Sequence, residues 1–108
     1  MSTSSRLVVH GAAGRMGQRI IACASTDTHP WKLVSALECP GHPKTGTDAG
    51  ILAGIEELGV CVSDSWTCPA DVVIDFSLPE AVPGIIEACV RAGVPLVVAT
   101  TGFEHEVS

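Results

Sequence analysis

Apolar and polar residues follow one another in blocks whose period changes from strand-like to helical and back. Arg6 to His10 (Arg-Leu-Val-Val-His) is a short apolar run ahead of a glycine-rich stretch, the pattern of a buried parallel strand. From Arg15 to Ser25 the apolar positions Met16, Ile20, Ile21 and Ala24 fall at helical spacing. Thr26 to Trp31, with an Asp and a Pro, reads as a turn, and Lys32 to Leu37 as a second strand ending at Glu38. Cys39 to Gly50 carries three glycines and two prolines, which predicts a long surface loop. Val60 to Ser63 reads as a short strand, and Asp71 to Phe76 and Val94 to Thr100 as buried ones.

Between the last two strands, Ser77-Leu-Pro-Glu80 has the form of a capping box, with Ser77 as N-cap. Val82, Ile85, Ile86 and Cys89 would form the buried face of the helix that follows, and Gly93 would end it. Pro83 conflicts with a start at Leu78. It has no N–H for an internal bond and crowds the carbonyl of Pro79, so the helix is expected either to kink or to begin near Pro83.

Strand, helix and strand in this order predict a doubly wound parallel α/β sheet with helices on both faces. Ligands of such sheets sit beyond the carboxyl ends of the strands, where the strand order reverses. The chain has 108 residues, 46% hydrophobic and 17% charged, which suits one ordinary globular domain. A formal net charge of −6 argues against a broad nucleic-acid footprint, although local backbone amides can still hold an anion. No apolar run reaches the roughly 18 residues of a membrane helix, and Met1 to Arg6 lacks the form of a signal peptide. Five cysteines without a Cys-x-x-Cys pair are expected to be reduced thiols of a cytoplasmic protein, with Cys23, Cys61 and Cys89 acting as small hydrophobes.

The candidate chemistry begins with His10-Gly-Ala-Ala-Gly-Arg-Met-Gly17, which follows a strand and opens a helix. Gly11 suits the tight turn, Gly14 lets a diphosphate approach the backbone, and Gly17 permits close packing. The Gly-x-x-Gly-x-x-Gly spacing is a weak signal alone, and a plain strand-to-helix turn has the same appearance. Glu38, 21 residues after Gly17, stands where a carboxylate accepts hydrogen bonds from an adenosine ribose. Cys39 and Pro40 follow it with no arginine for a 2′-phosphate, which favours NAD over NADP, although Arg15 and Lys44 could serve a phosphate. Ala99-Thr-Thr-Gly-Phe103, at the end of the last strand, could run past a nicotinamide or be an ordinary strand exit. His10 reads as structural, Cys39-Pro-Gly-His42 lacks the second ligand pair of a zinc site, and no catalytic set can be assembled.

Taken together, His-Gly-Ala-Ala-Gly-Arg-Met-Gly (10–17), Ala-Leu-Glu (36–38), Gly-Thr-Asp-Ala-Gly (46–50), Val-Ile-Asp-Phe-Ser (73–77) and Thr-Thr-Gly-Phe (100–103) resemble the N-terminal region of the dihydrodipicolinate reductases. The similarity runs from about Arg6 to Phe103. It implies a Rossmann-like sheet, residues 1–108 as one dinucleotide-binding domain, and a reductase using NADH or NADPH on a cyclic dicarboxylate in lysine biosynthesis, typically as a homotetramer. By position, Gly11, Ala12, Ala13, Gly14, Arg15 and Met16 would hold the pyrophosphate and Glu38 the ribose, with Ala99, Thr100 and Thr101 bordering the nicotinamide. The family usually has Gly at the position of Ala99. Its members are more than twice as long, and their substrate domain, with its catalytic groups, has no counterpart here. The sheet is therefore expected to be incomplete, Ser108 to be a cut, and the chain alone to be inactive. Two other readings stand beside this one: another two-domain dehydrogenase with a similar front half, of the aspartate or homoserine type, and a stand-alone nucleotide-binding or sensor module without catalysis.

Overall fold

The computed structural model describes residues 5–24, 31–66, 68–76 and 82–98. Five strands form one sheet: β1 (Ser5–His10), β2 (Trp31–Leu37), β3 (Val62–Ser63), β4 (Val72–Asp75) and β5 (Leu96–Val98). Their order is β3-β2-β1-β4-β5, and every pairing is parallel. The helices are α1 (Arg15–Ala24), the single turn α2 (Ala49–Leu52) and α3 (Val82–Ala92). This is the predicted doubly wound arrangement, with the order reversing between β1 and β4.

β1 is central, and Leu7, Val8 and Val9 are each no more than 1% exposed, so it must be apolar on both faces. Leu7 and Val9 pack with Ile21, Ala24, Leu33 and Ala36 on the side of α1. Val8 packs with Leu37, Val73, Ile85 and Cys89 on the side of α3. At the amino ends of the strands Arg6 clamps β1 to the entry of β4. Its backbone N–H reaches Asp71 Oδ2 at 2.6 Å, and Nε and Nη2 reach the two carboxylate oxygens at 3.2 and 3.1 Å.

Several expectations are corrected by the structure. The loop after β2 closes sooner than Gly50, because Asp48 caps α2 by accepting from Gly50 N and Ile51 N. Asp48 also accepts from Leu58 N at 2.9 Å and Gly59 N at 2.8 Å, so one carboxylate gathers both ends of the segment. β5 is not buried: of its residues only Leu96 packs against a core cluster, and Val97 and Val98 are exposed. Met16 and Ile86 are exposed as well, because α1 and α3 each bury a narrower stripe than helical spacing alone suggests. Cys23 and Cys61 are exposed rather than core residues, while Cys89 is buried. No disulfide joins any of the five cysteines.

Pro83 is the second residue of α3 and its missing N–H lies in the first turn, where no intrahelical acceptor exists. The helix ends at Gly93 as predicted, with Gly93 N on Val90 O at 3.2 Å and Val94 N on Cys89 O at 3.0 Å. Ser77 and Glu80 lie outside the described residues, and so do residues 26–30 of the turn predicted over Thr26 to Trp31, whose last residue instead opens β2.

Candidate functional site

The carboxyl ends of β1, β2 and β4 converge on the glycine turn. Gly11 has φ +84°, a left-handed conformation that a side chain would strain, and this reverses the chain directly after β1. Gly17 lies under the turn: a Cβ there would overlap Gly11 O and stand 3.0 Å from Ala12 Cα. A Cβ at Gly14 would meet only Gly11 O, at 3.4 Å, and the residue is exposed, so its outer side is open to a ligand.

A diphosphate needs donors that the fold has not already used. Gly11 N and Ala12 N both bond Leu37 O, at 2.8 and 3.1 Å, and Gly14 N bonds Gly11 O at 3.1 Å. Ala13 N donates to Glu38 Oε2 at 2.8 Å. The first intrahelical bond is Gln18 N to Gly14 O, at 3.0 Å. Arg15 N, Met16 N and Gly17 N therefore have no acceptor among the described residues, and the first two, on exposed residues, are open at the positive end of α1. Of the six predicted residues of the turn, Gly11 to Gly14 shape it, and Arg15 and Met16 carry the open amides. The turn fits a diphosphate, with fewer donors than the motif suggests.

Glu38 does face the turn. One of its oxygens is engaged by Ala13 N, and the other lies 3.3 Å from Cys39 N and 4.0 Å from His42 Nε2. A carboxylate offers about four lone-pair positions, so acceptor capacity remains for ribose hydroxyls. Beside it opens a cavity of about 340 Å³ whose wall includes His10, Glu38, Pro40, Trp66, Ile85 and Ala88. Its size and partly apolar wall suit a nucleoside.

Sequence reasoning missed two features. His10, read as structural, lines this cavity and bonds Asp75 through Nδ1 at 2.8 Å. The signal was available: the last residues of two neighbouring parallel strands are His and Asp. Asp48, quoted only within a motif, is the hub of the segment after β2. Its carboxyl is held below the ordinary carboxylate range, above all by the Leu58 N–H; desolvation, the next largest effect, opposes this, and the Ile51, Gly59 and Gly50 N–H groups add to the lowering. Burial, then the nearby Asp75, pushes the Cys89 thiol up. Ala99, Thr100 and Thr101 lie outside the described residues.

Residues 5–108 match the family described as "Dihydrodipicolinate reductase, N-terminus". A 4-hydroxy-tetrahydrodipicolinate reductase of Rhodopirellula baltica is 46% identical over 105 residues, covering 93% of this chain and 37% of that protein. Curated relatives of the same name range from 42% to 48% identity, and the chain spans 37–39% of their length. Among solved structures, the Candida albicans aspartate semialdehyde dehydrogenase with NADP superposes with a TM-score of 0.70 at 18% identity, over 94% of this chain and 31% of that one. RSP, a Rex-family repressor solved with β-NADH, superposes with a TM-score of 0.65 at 17% identity, over 97% of this chain and 56% of its own. At these identities the likeness to the solved structures is one of fold. The match across residues 5–108, together with the glycine turn and Glu38 in the register that the motif requires, places this chain in the family of dihydrodipicolinate reductase N-termini.

Proposed function

We propose that this chain is the dinucleotide-binding part of a 4-hydroxy-tetrahydrodipicolinate reductase and holds NAD(H) in preference to NADP(H). The observation that carries the reading is the pair of unspent amides, Arg15 N and Met16 N, beside a turn that Glu38 overhangs. Those amides would hold the diphosphate, and Glu38 would accept from the adenosine ribose. The nicotinamide cofactor, when bound, supplies the hydride. The chain's own part is to fix the cofactor's position and to exclude water from one side of it. Gly14, without a Cβ, lets the phosphates reach the helix start. Ala99, Thr100 and Thr101 would border the nicotinamide.

The preference for NAD rests on charge. A 2′-phosphate would come up against the Glu38 carboxylate, and no arginine follows it in Cys39 and Pro40. Reduction of the cyclic dicarboxylate would be the work of a longer protein, assembled as a homo-oligomer in the cytoplasm, and the 108 residues alone would show no turnover. No helix among the described residues is long and apolar enough to cross a membrane.

The test is calorimetric titration of NADH and NADPH into the wild-type chain and into Glu38→Ala. Loss of a charge-assisted hydrogen bond costs about 1.5–3 kcal/mol, or roughly tenfold to a hundredfold in Kd. That loss is expected for NADH, with NADPH less affected. Equal affinities before and after the substitution would remove Glu38 from the site.

A further inference from the structure

We propose that His10 contacts the nucleotide directly: its imidazole, locked by Asp75, offers Nε2 as a hydrogen-bond acceptor to the adenosine half of the dinucleotide. The inference rests on the dinucleotide reading above and extends it to a residue that the glycine motif does not include.

His10 and Asp75 are the last residues of β1 and β4 and are register partners, at the point where the strand order reverses. Nδ1 and Asp75 Oδ1 are 2.8 Å apart, and Phe76 N also donates to His10 O at 2.8 Å. Ring and backbone are thus both tied to the same neighbouring strand. With the Asp75 carboxylate as acceptor the hydrogen sits on Nδ1, and in that tautomer Nε2 carries the lone pair. Nε2 has no protein partner among the described residues, and the His10 side chain, 13% exposed, forms part of the cavity wall.

The composition of the cavity selects the ligand group. Its ionisable wall side chains are His10, Glu38, Asp64 and the Cys39 thiol, and the rest of the wall is largely apolar: Leu37, Pro40 and Ile85 among others. Two carboxylates and an imidazole lone pair are all acceptors. They repel phosphate and suit a neutral group rich in donors, such as a ribose diol or the exocyclic amine of adenine. Because Asp75 fixes the ring before the ligand arrives, no side-chain ordering opposes that contact.

Long-range proton–nitrogen correlation spectra of the ¹⁵N-labelled full chain read the tautomer and environment of His10 without any enzymatic activity. The free protein is expected to show the Nδ1–H form. Saturation with AMP is expected to move the Nε2 resonance, whereas nicotinamide mononucleotide should leave it in place. Inosine monophosphate then distinguishes the donors: a shift with both nucleotides assigns the ribose hydroxyls, and a shift with AMP alone assigns the amine. His10→Phe, which keeps an aromatic ring but removes Nε2, is expected to weaken AMP about tenfold. If AMP perturbs the backbone amides of Arg15 and Met16 while Nε2 stays still, or if His10→Phe binds AMP as well as wild type does, the inference is wrong and the dinucleotide reading stands. If neither AMP nor NADH perturbs any resonance, the dinucleotide reading fails and the inference fails with it.

Discussion

Replacing Gly17 with alanine sets two ordinary effects against each other, and the structure decides the sign. Gly17 is in the first turn of α1, where alanine is favoured over glycine by up to about 1 kcal/mol in helix propensity. Against this, the new Cβ would overlap Gly11 O and lie 3.0 and 3.1 Å from Ala12 Cα and C. All three are backbone atoms, so no side chain can rotate out of the way. Overpacking of this kind costs about 1–3 kcal/mol. Relief by moving the turn would lengthen the bonds from Gly11 N and Ala12 N to Leu37 O, now 2.8 and 3.1 Å, at about 0.5–1.5 kcal/mol each. The expected balance is a loss of about 2 kcal/mol, or roughly 8 °C in Tm for a domain of this size. Gly84 in α3 is the control: a Cβ there meets nothing within 4 Å, so alanine should raise Tm by a degree or two, about 0.5 kcal/mol. Calorimetric scans of both variants beside wild type make the comparison. A Gly17→Ala protein as stable as wild type would refute the close-packing argument and the account of the turn built on it.

Asp48→Asn is expected to lower Tm, since an amide cannot accept from Gly50, Ile51, Leu58 and Gly59 N–H together; an unchanged Tm would show the hub to be dispensable. The carboxyls of Asp48 and Asp71 are both held below the ordinary range, the second chiefly by its side-chain hydrogen bond to Arg6. Depressed folded values give stability that is present above the unfolded value of about 3.9 and is lost as pH falls through the folded ones. Melting curves from about pH 6 down to pH 2.5 should show that decline in the wild type and a shallower one in Asp48→Asn; parallel curves would count against it. Cys89, buried with its thiol pushed up by burial and then by Asp75, should be alkylated last of the five cysteines under native conditions. Peptide mass spectrometry reads the order, and labelling of Cys89 as fast as the exposed Cys39 would contradict the packing under α3.

What the sequence determined by itself is what depends on neighbours along the chain. The apolar run of β1, the helical spacing of α1, the stop at Gly93 and the βαβ order are local patterns, and local sterics and hydrogen bonding enforce them. The glycine turn and Glu38 were legible for the same reason, because their separation counts out one strand–helix–strand unit. Tertiary structure decided which groups remain available once distant segments meet. Leu37 O takes two amides of the turn and Glu38 takes a third, so that Arg15 and Met16 are left with the open ones. His10 and Asp75, 65 residues apart, become partners only through the β1–β4 register. Burial divides in the same way: periodicity shows that a face is apolar, but whether Met16, Ile86 or Val97 is covered depends on what packs across from it.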